Sequence, residues 1–306
     1  MYLSGQSGTG KSFLLKKLLI QAAEQGALVL ALDYTCDFLH WTPPDGCHFQ
    51  RIDVTSPSFT LNPLIGLPGQ SPDTRAQQLL SALHSVFRMG PRATVSLRQA
   101  TTAYLSATGH PTLSGLLDHI SEIENAGRGL DAAREPLELL TSLVHCGNQP
   151  LGLDLNTSGL IVLDLCQIVD QNLCKLLVEL LLQAIWTAHT VSQPPLVLVL
   201  DECQRLNWGA SSMSIRILRE GRKFGIGGWF SSQYLDHAEA SAALGQAALQ
   251  AYFRPDGQHI GKLAKHLSSA HPADLPKYQQ LIQGLHRGQF LWQQSDGKPV
   301  IITVGE

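Results

Sequence analysis

Charge is scarce in this chain: Asp, Glu, Lys and Arg make up 15% of its 306 residues. Disordered chains and coiled coils depend on charge. With 44% hydrophobic residues this sequence specifies a packed globular protein instead. An excess of either sign is also missing, since 22 basic against 25 acidic residues leave a net charge of −3. That excludes a protein coating nucleic acid over its whole surface, so any such contact has to be a local patch or a shared pore. A cysteine framework is absent too. The six cysteines (Cys36, Cys47, Cys146, Cys166, Cys174 and Cys203) follow no repeating spacing. Without a signal-peptide pattern they are expected to be reduced thiols of a cytoplasmic protein. No spacing fits a zinc template, Cys36, His40, Cys47 and His48 included, and no G-x-S-x-G nucleophile motif occurs. Nor is there an uninterrupted apolar run of membrane length. The Leu-rich stretch 173–191 carries Lys175, Glu179 and Gln183 at four-residue intervals, a polar stripe suited to a helix pressed into a core.

Short apolar runs bounded by turn residues do recur, at 28–33, 48–54, 160–165, 196–201, 227–232 and 251–254. Their continuous rather than alternating character predicts strands of a mostly parallel sheet covered on both faces, with helices between them, an α/β architecture. Residues 73–147 differ in texture. They contain no Lys, show helical periodicity over 73–88, 92–107, 112–125 and 130–146, and break at Gly90-Pro91, Gly109-His-Pro111 and Gly127-Arg-Gly129. The expected organisation is a core formed by 1–70 and 151–306, with an all-helical subdomain inserted over 71–150. Two closing runs, 288–293 and 299–304, flank Ser295-Asp-Gly-Lys298 and predict a C-terminal β-hairpin.

The chemistry lies at the ends of the predicted strands. Gly5, Gln6, Ser7, Gly8, Thr9, Gly10, Lys11 and Ser12 spell G-x-x-x-x-G-K-[ST] in full and open a helical segment over 11–25. In such a loop backbone N–H groups wrap the β-phosphate, Lys11 neutralises charge on the β- and γ-phosphates, and Ser12 ligates Mg²⁺. The run Leu196–Leu200 ends in Asp201 and Glu202. Five apolar residues followed by two acids suit a sheet edge that holds a cation, with Asp201 acting through the Mg²⁺ water shell and Glu202 orienting or deprotonating the attacking water. An acidic start to an ordinary helix would look similar. Asp33 ends another apolar run, with Asp37 four residues on, and Gln233 follows the run 227–232. Arg216, Arg219, Arg222 and Lys223 concentrate cations in a chain short of them. They suit an arginine finger for a neighbouring subunit, a DNA channel, or a plain solvated face.

Four stretches resemble the HerA/FtsK superfamily of DNA-pumping ATPases: GQSGTGKS followed by LALDYTCDF, LNPL at 61–64, VLVLDECQRL, and REGRKFGIGGWFSSQ at 219–233. The resemblance implies a RecA-like P-loop core that uses ATP and Mg²⁺ and works as a homo-hexamer translocating double-stranded DNA, a helicase-like motor with a nuclease or other effector as partner. It implies that Lys11 and Ser12 bind phosphate and Mg²⁺, that Glu202 is the catalytic glutamate and Gln233 the sensor, and that Asp201 and Asp33 stand at the metal. Arg219 or Arg222 would be the finger acting in trans. Family members usually carry an N-terminal barrel or membrane domain before this core, so a truncated start or a partner supplying that part is expected. An ATP-gated scaffold without motor activity is the alternative. A small-molecule kinase fits less well, because no arginine-rich lid is evident.

Overall fold

The computed structural model describes residues 1–124, 130–189, 193–233, 243–245, 247–294 and 297–304. Its strands are β1 (Tyr2–Ser4), β2 (Leu28–Asp33), β3 (Phe49–Asp53), β4 (Gly159–Asp164), β5 (Leu196–Leu200), β6 (Ile226–Ser232), β7 (Leu249–Phe253), β8 (Gln289–Gln294) and β9 (Val300–Thr303). They join in one sheet of order β3-β4-β2-β5-β6-β1-β7-β8-β9. Every pairing from β3 to β7 is parallel, and β7-β8 and β8-β9 are antiparallel. The expected closing hairpin is therefore present, with Trp292 opposite Val300, although Ser295 and Asp296 of its turn lie outside the described residues.

The continuous apolar strands have a simple cause in the sheet's two covered faces. All six residues of β2 are buried, and they divide alternately: Leu28, Leu30 and Leu32 enter one apolar cluster, Val29 and Ala31 the other. Helix α1 (Lys11–Glu24) covers the second face through Leu15, Leu19 and Ala23. Helix α6 (Gln171–Ala188) covers the first through Leu176, Leu177, Leu180, Leu181 and Ile185. The polar stripe of α6 is not a solvated one. Glu179 is buried, and its Oε1 accepts the Met213 N–H at 2.7 Å where α7 (Met213–Glu220) begins. Among the described residues no helix is long and apolar enough to cross a membrane.

Helices α2 (Pro72–Val86), α3 (Pro91–Ala107), α4 (Leu113–Glu124) and α5 (Asp131–Leu143) follow one another between β3 and β4. Ser71 caps α2 by accepting the Thr74 N–H, and prolines occupy the first turns of α2 and α3, where a missing N–H costs nothing. Asn62 of the LNPL stretch ties this block to the core. Its buried amide donates to the carbonyls of Pro111 (2.8 Å) and Gly147 (2.9 Å), while its Oδ1 accepts the Leu64 N–H (3.1 Å). After β7, α8 (Ile260–Leu267) and α9 (Leu275–Gln283) pack on each other.

One expectation is corrected. Cys36 and Cys166 are paired as a disulfide rather than left as free thiols. Adjacent parallel strands β2 and β4 end in register, Asp33 beside Asp164, so the loops that follow bring the two Cα atoms to 5.9 Å. Cys47, Cys146, Cys174 and Cys203 are free.

Candidate nucleotide-binding site

The loop between β1 and α1 needs its glycines for backbone reasons. Gly5, Gly8 and Gly10 hold φ of 147°, 77° and 114°, and a Cβ on Gly5 would stand 2.5 Å from the Phe253 side chain. The loop is pinned from the β7 side, where Gln6 N–H donates to Arg254 (3.0 Å) and Gly288 N–H to the Thr9 carbonyl (2.8 Å). Among the described residues, the backbone N–H groups of Ser7 to Ser12 donate to no backbone carbonyl. A row of unused donors at the start of a helix is a cradle for an anion such as phosphate. Lys11 is buried and folds back over this cradle, its Nζ donating to the carbonyls of Gly5 (2.6 Å) and Gln6 (3.3 Å). Burial pulls its pKa down, against the attraction of Asp201, Glu202 and Asp37.

The two acids after β2 behave differently. Asp33 is 1% exposed, and its oxygens accept the N–H groups of Thr35 (3.1 Å), Asp37 (3.2 Å) and Phe38 (3.0 Å). It shapes the loop. Asp37 is delivered by that loop to the P-loop helix, where its Oδ2 accepts from Ser12 Oγ at 3.5 Å. The carboxylate beside the expected metal ligand Ser12 is thus Asp37 rather than Asp33.

Beyond β5, Asp201 accepts the Glu202 N–H at 2.9 Å, and burial pushes its pKa up. Glu202 has a φ of 47°, a left-handed backbone that costs a non-glycine residue energy and is typical of functional positions. Its carboxylate is held by two amides: Gln233 Nε2 donates to Oε1 at 2.8 Å and Gln204 Nε2 donates to Oε2. Ser232 Oγ in turn donates to Gln204 Oε1 at 2.9 Å. Strand pairing brings these groups together, because β5, β6 and β1 are successive parallel neighbours and Ser232 stands beside Ser4 at the entrance of the P-loop. Gln204 escaped the sequence reading. Its only signal was a polar residue two positions after the acid pair, on the 3-10 turn Cys203–Arg205 that aims it back at Glu202.

Arg219 and Arg222 lie at the other rim. They are exposed on α7 and the following 3-10 turn (Gly221–Phe224), just ahead of β6, whereas the P-loop stands at the far end of that strand. At a rise of about 3.3 Å per residue, that separation is roughly 20 Å, too far to serve the nucleotide site of the same chain. Arg216 is set apart from them. It pairs with Glu220 at 3.6 Å and lies 4.5 Å from the centre of the Trp186 ring.

No family model and no curated protein matches the sequence. Solved structures do. VirB4 of Thermoanaerobacter pseudethanolicus superposes with a TM-score of 0.74 at 17% identity, over 100% of this chain and 89% of that one. The plasmid coupling protein TrwB in complex with ADP and Mg²⁺ gives 0.68 at 15% identity, over 99% and 84%. TrwB with the non-hydrolysable GTP analogue GDPNP gives 0.69 at 16%, over 99% and 85%. At these identities the likeness is one of fold, and the fold is the RecA-like P-loop architecture that the motifs imply.

Proposed function

We propose that this chain is a ring-forming ATPase of HerA type that translocates double-stranded DNA, working with a nuclease or another effector. The observation that carries the ATPase reading is one rim on which an empty-handed P-loop, a left-handed Glu202 and the Gln233 amide converge. The residues fit ATP and Mg²⁺. N–H groups of Ser7 to Ser12 would hold the phosphates, Lys11 would neutralise them once its Nζ leaves the Gly5 and Gln6 carbonyls, and Ser12 with Asp201 would hold the ion, Asp37 standing next to Ser12. Bound Mg²⁺ would supply charge stabilisation at the transferring phosphoryl group.

Glu202 is the general base in this account. Its carboxylate takes the proton of the attacking water, and Gln233 keeps one of its oxygens oriented while reporting on the γ-phosphate through the same amide. Arg219 and Arg222 sit on the opposite rim of the same chain, where either would serve a neighbour's γ-phosphate rather than its own. A neighbouring copy in a ring would present one of them, which is why the reading requires an oligomer, a hexamer by resemblance. LNPL at 61–64, where Asn62 clamps the helical block, and the stretch 219–233 support the DNA-pumping branch.

The test is steady-state ATP hydrolysis with and without linear double-stranded DNA, with Lys11→Ala as the blank. Hydrolysis above the blank that DNA stimulates is the expected result. Hydrolysis indifferent to DNA would replace the motor with an ATP-gated scaffold, and no hydrolysis above the blank would overturn the ATPase itself.

A further inference from the structure

A second cavity, of about 380 Å³, opens behind the Asp201-Glu202 turn on the face of the sheet that α6 covers. Tyr34, Leu165, Cys174, Lys175, Gln204 and Arg205 line it. Its size is that of a small-ligand site. Three of its side-chain donors, on Tyr34, Lys175 and Arg205, have no charged or buried partner among the described residues. Tyr34 is only 8% exposed, and its hydroxyl has no hydrogen-bond partner among the described residues. Neither Lys175 nor Arg205 has an ion-pair partner among the described residues. The carboxylates that bear on it are committed elsewhere: Asp170 caps α6 through the Leu173 N–H (2.8 Å), Glu179 accepts the Met213 N–H, and Glu202 is held by the Gln204 and Gln233 amides. A buried hydroxyl without a partner is rare in folded proteins, and together with two unneutralised cations it calls for a ligand that is anionic and rich in acceptors.

We propose that this cavity is a phosphate-binding site, in which Arg205 and Lys175 supply the charge, the Tyr34 hydroxyl supplies a hydrogen bond, and Gln204 passes occupancy on to Glu202. Phosphate suits the donors better than a carboxylate does, because its oxygens offer acceptors in more directions than the planar group can. The link to catalysis is a single side chain. Gln204 lines the cavity, while its amide nitrogen holds Glu202 and its carbonyl accepts from Ser232. A phosphate oxygen that draws the Gln204 amide toward the cavity leaves Glu202 held by Gln233 alone, which frees one carboxylate oxygen for a water. This second half rests on the proposed role of Glu202. The phosphate can be a phosphodiester of bound nucleic acid or free inorganic phosphate, since both present the same oxygens.

The experiment uses the full chain carrying Lys11→Ala, so that the P-loop no longer holds phosphate. Inorganic phosphate is titrated calorimetrically in one arm, and a short fluorescent DNA duplex by anisotropy in the other. Arg205→Gln and Lys175→Gln are expected to weaken at least one probe roughly fivefold or more, and Tyr34→Phe by a smaller factor, with unchanged thermal unfolding. Loss in the phosphate arm alone identifies the free anion; loss in the duplex arm identifies the backbone, with a shallower salt dependence. Binding of both probes as tight as in the parent, or no binding by the parent, overturns the site. With Lys11 restored, Arg205→Gln should keep basal hydrolysis and lose the change in kcat that the bound probe produces. An unaltered change in kcat would sink the coupling through Gln204. Should the wild-type chain hydrolyse no ATP, the ATPase reading fails while the binding arms still decide the site.

Discussion

The loops after β2 and β5 start from the same sequence idea, an apolar strand ending in one acid with a second acid close behind, and they use it differently. After β2, Asp33 spends both oxygens on the backbone of its own loop, and only Asp37 reaches the P-loop helix. After β5, Asp201 makes one such backbone bond, to Glu202, and still acts electrostatically on Lys11. The spacing explains the difference. The three residues between Asp33 and Asp37 make a loop that needs an internal anchor, whereas adjacent Asp201 and Glu202 need only a left-handed turn at Glu202. A strand-end acid is therefore architectural or chemical according to how many unpaired N–H groups the following loop aims at it.

The largest effect that could break this comparison lies outside both loops. If Arg219 or Arg222 completes the site in trans, the corresponding alanine variant should lower turnover of the assembled ring by roughly a thousandfold. Neither variant should change ATP binding by the isolated chain, and full turnover in both would leave the β5 loop complete without a neighbour. Next comes Asp33→Ala, which strands three backbone N–H groups and should cost about 4 kcal/mol of stability in denaturant unfolding. A variant as stable as wild type would return Asp33 to the chemical role.

The buried acid Glu179, on the helix beneath these loops, titrates in a measurable way. Burial pushes its pKa up to about 7, with the Met213 N–H pulling the other way. Below the unfolded value both states are protonated. Between that value and about 7 only the folded state keeps the proton, so the acid's contribution declines as pH rises and is lost above the folded pKa. Glu179→Gln should therefore gain on wild type with rising pH, by about 3 kcal/mol between pH 5 and 8. A gap that stays constant across that range would mean the carboxyl ionises normally. The smallest effect belongs to Asp37→Ala, expected to lower turnover about tenfold by loosening Ser12 while leaving unfolding unchanged. A stability loss like that of Asp33→Ala would erase the division between the two acids.

Much of the fold was legible because its signals are local. The apolar runs end within a residue or two of the observed strands, and the glycines of the P-loop announce the positive φ they adopt. The candidate site was legible only where one residue type has one use, as with Lys11 or the Asp201-Glu202 pair. What the pattern concealed depends on strand order. Cys36 and Cys166 meet because β2 and β4 are neighbours, and Gln204 meets Ser232 and Glu202 meets Gln233 because β5 and β6 are. Glu179 reads as one residue of a solvated stripe until α7 is placed over it.

The central claim is that Glu202, held by Gln233 and Gln204, is the base that activates water at this P-loop. Paired measurement of ATP affinity and single-turnover hydrolysis for Glu202→Gln tests it most directly. Affinity within about twofold of wild type and hydrolysis slower by roughly a thousandfold is the predicted result. Hydrolysis at the wild-type rate with ATP still bound would contradict it.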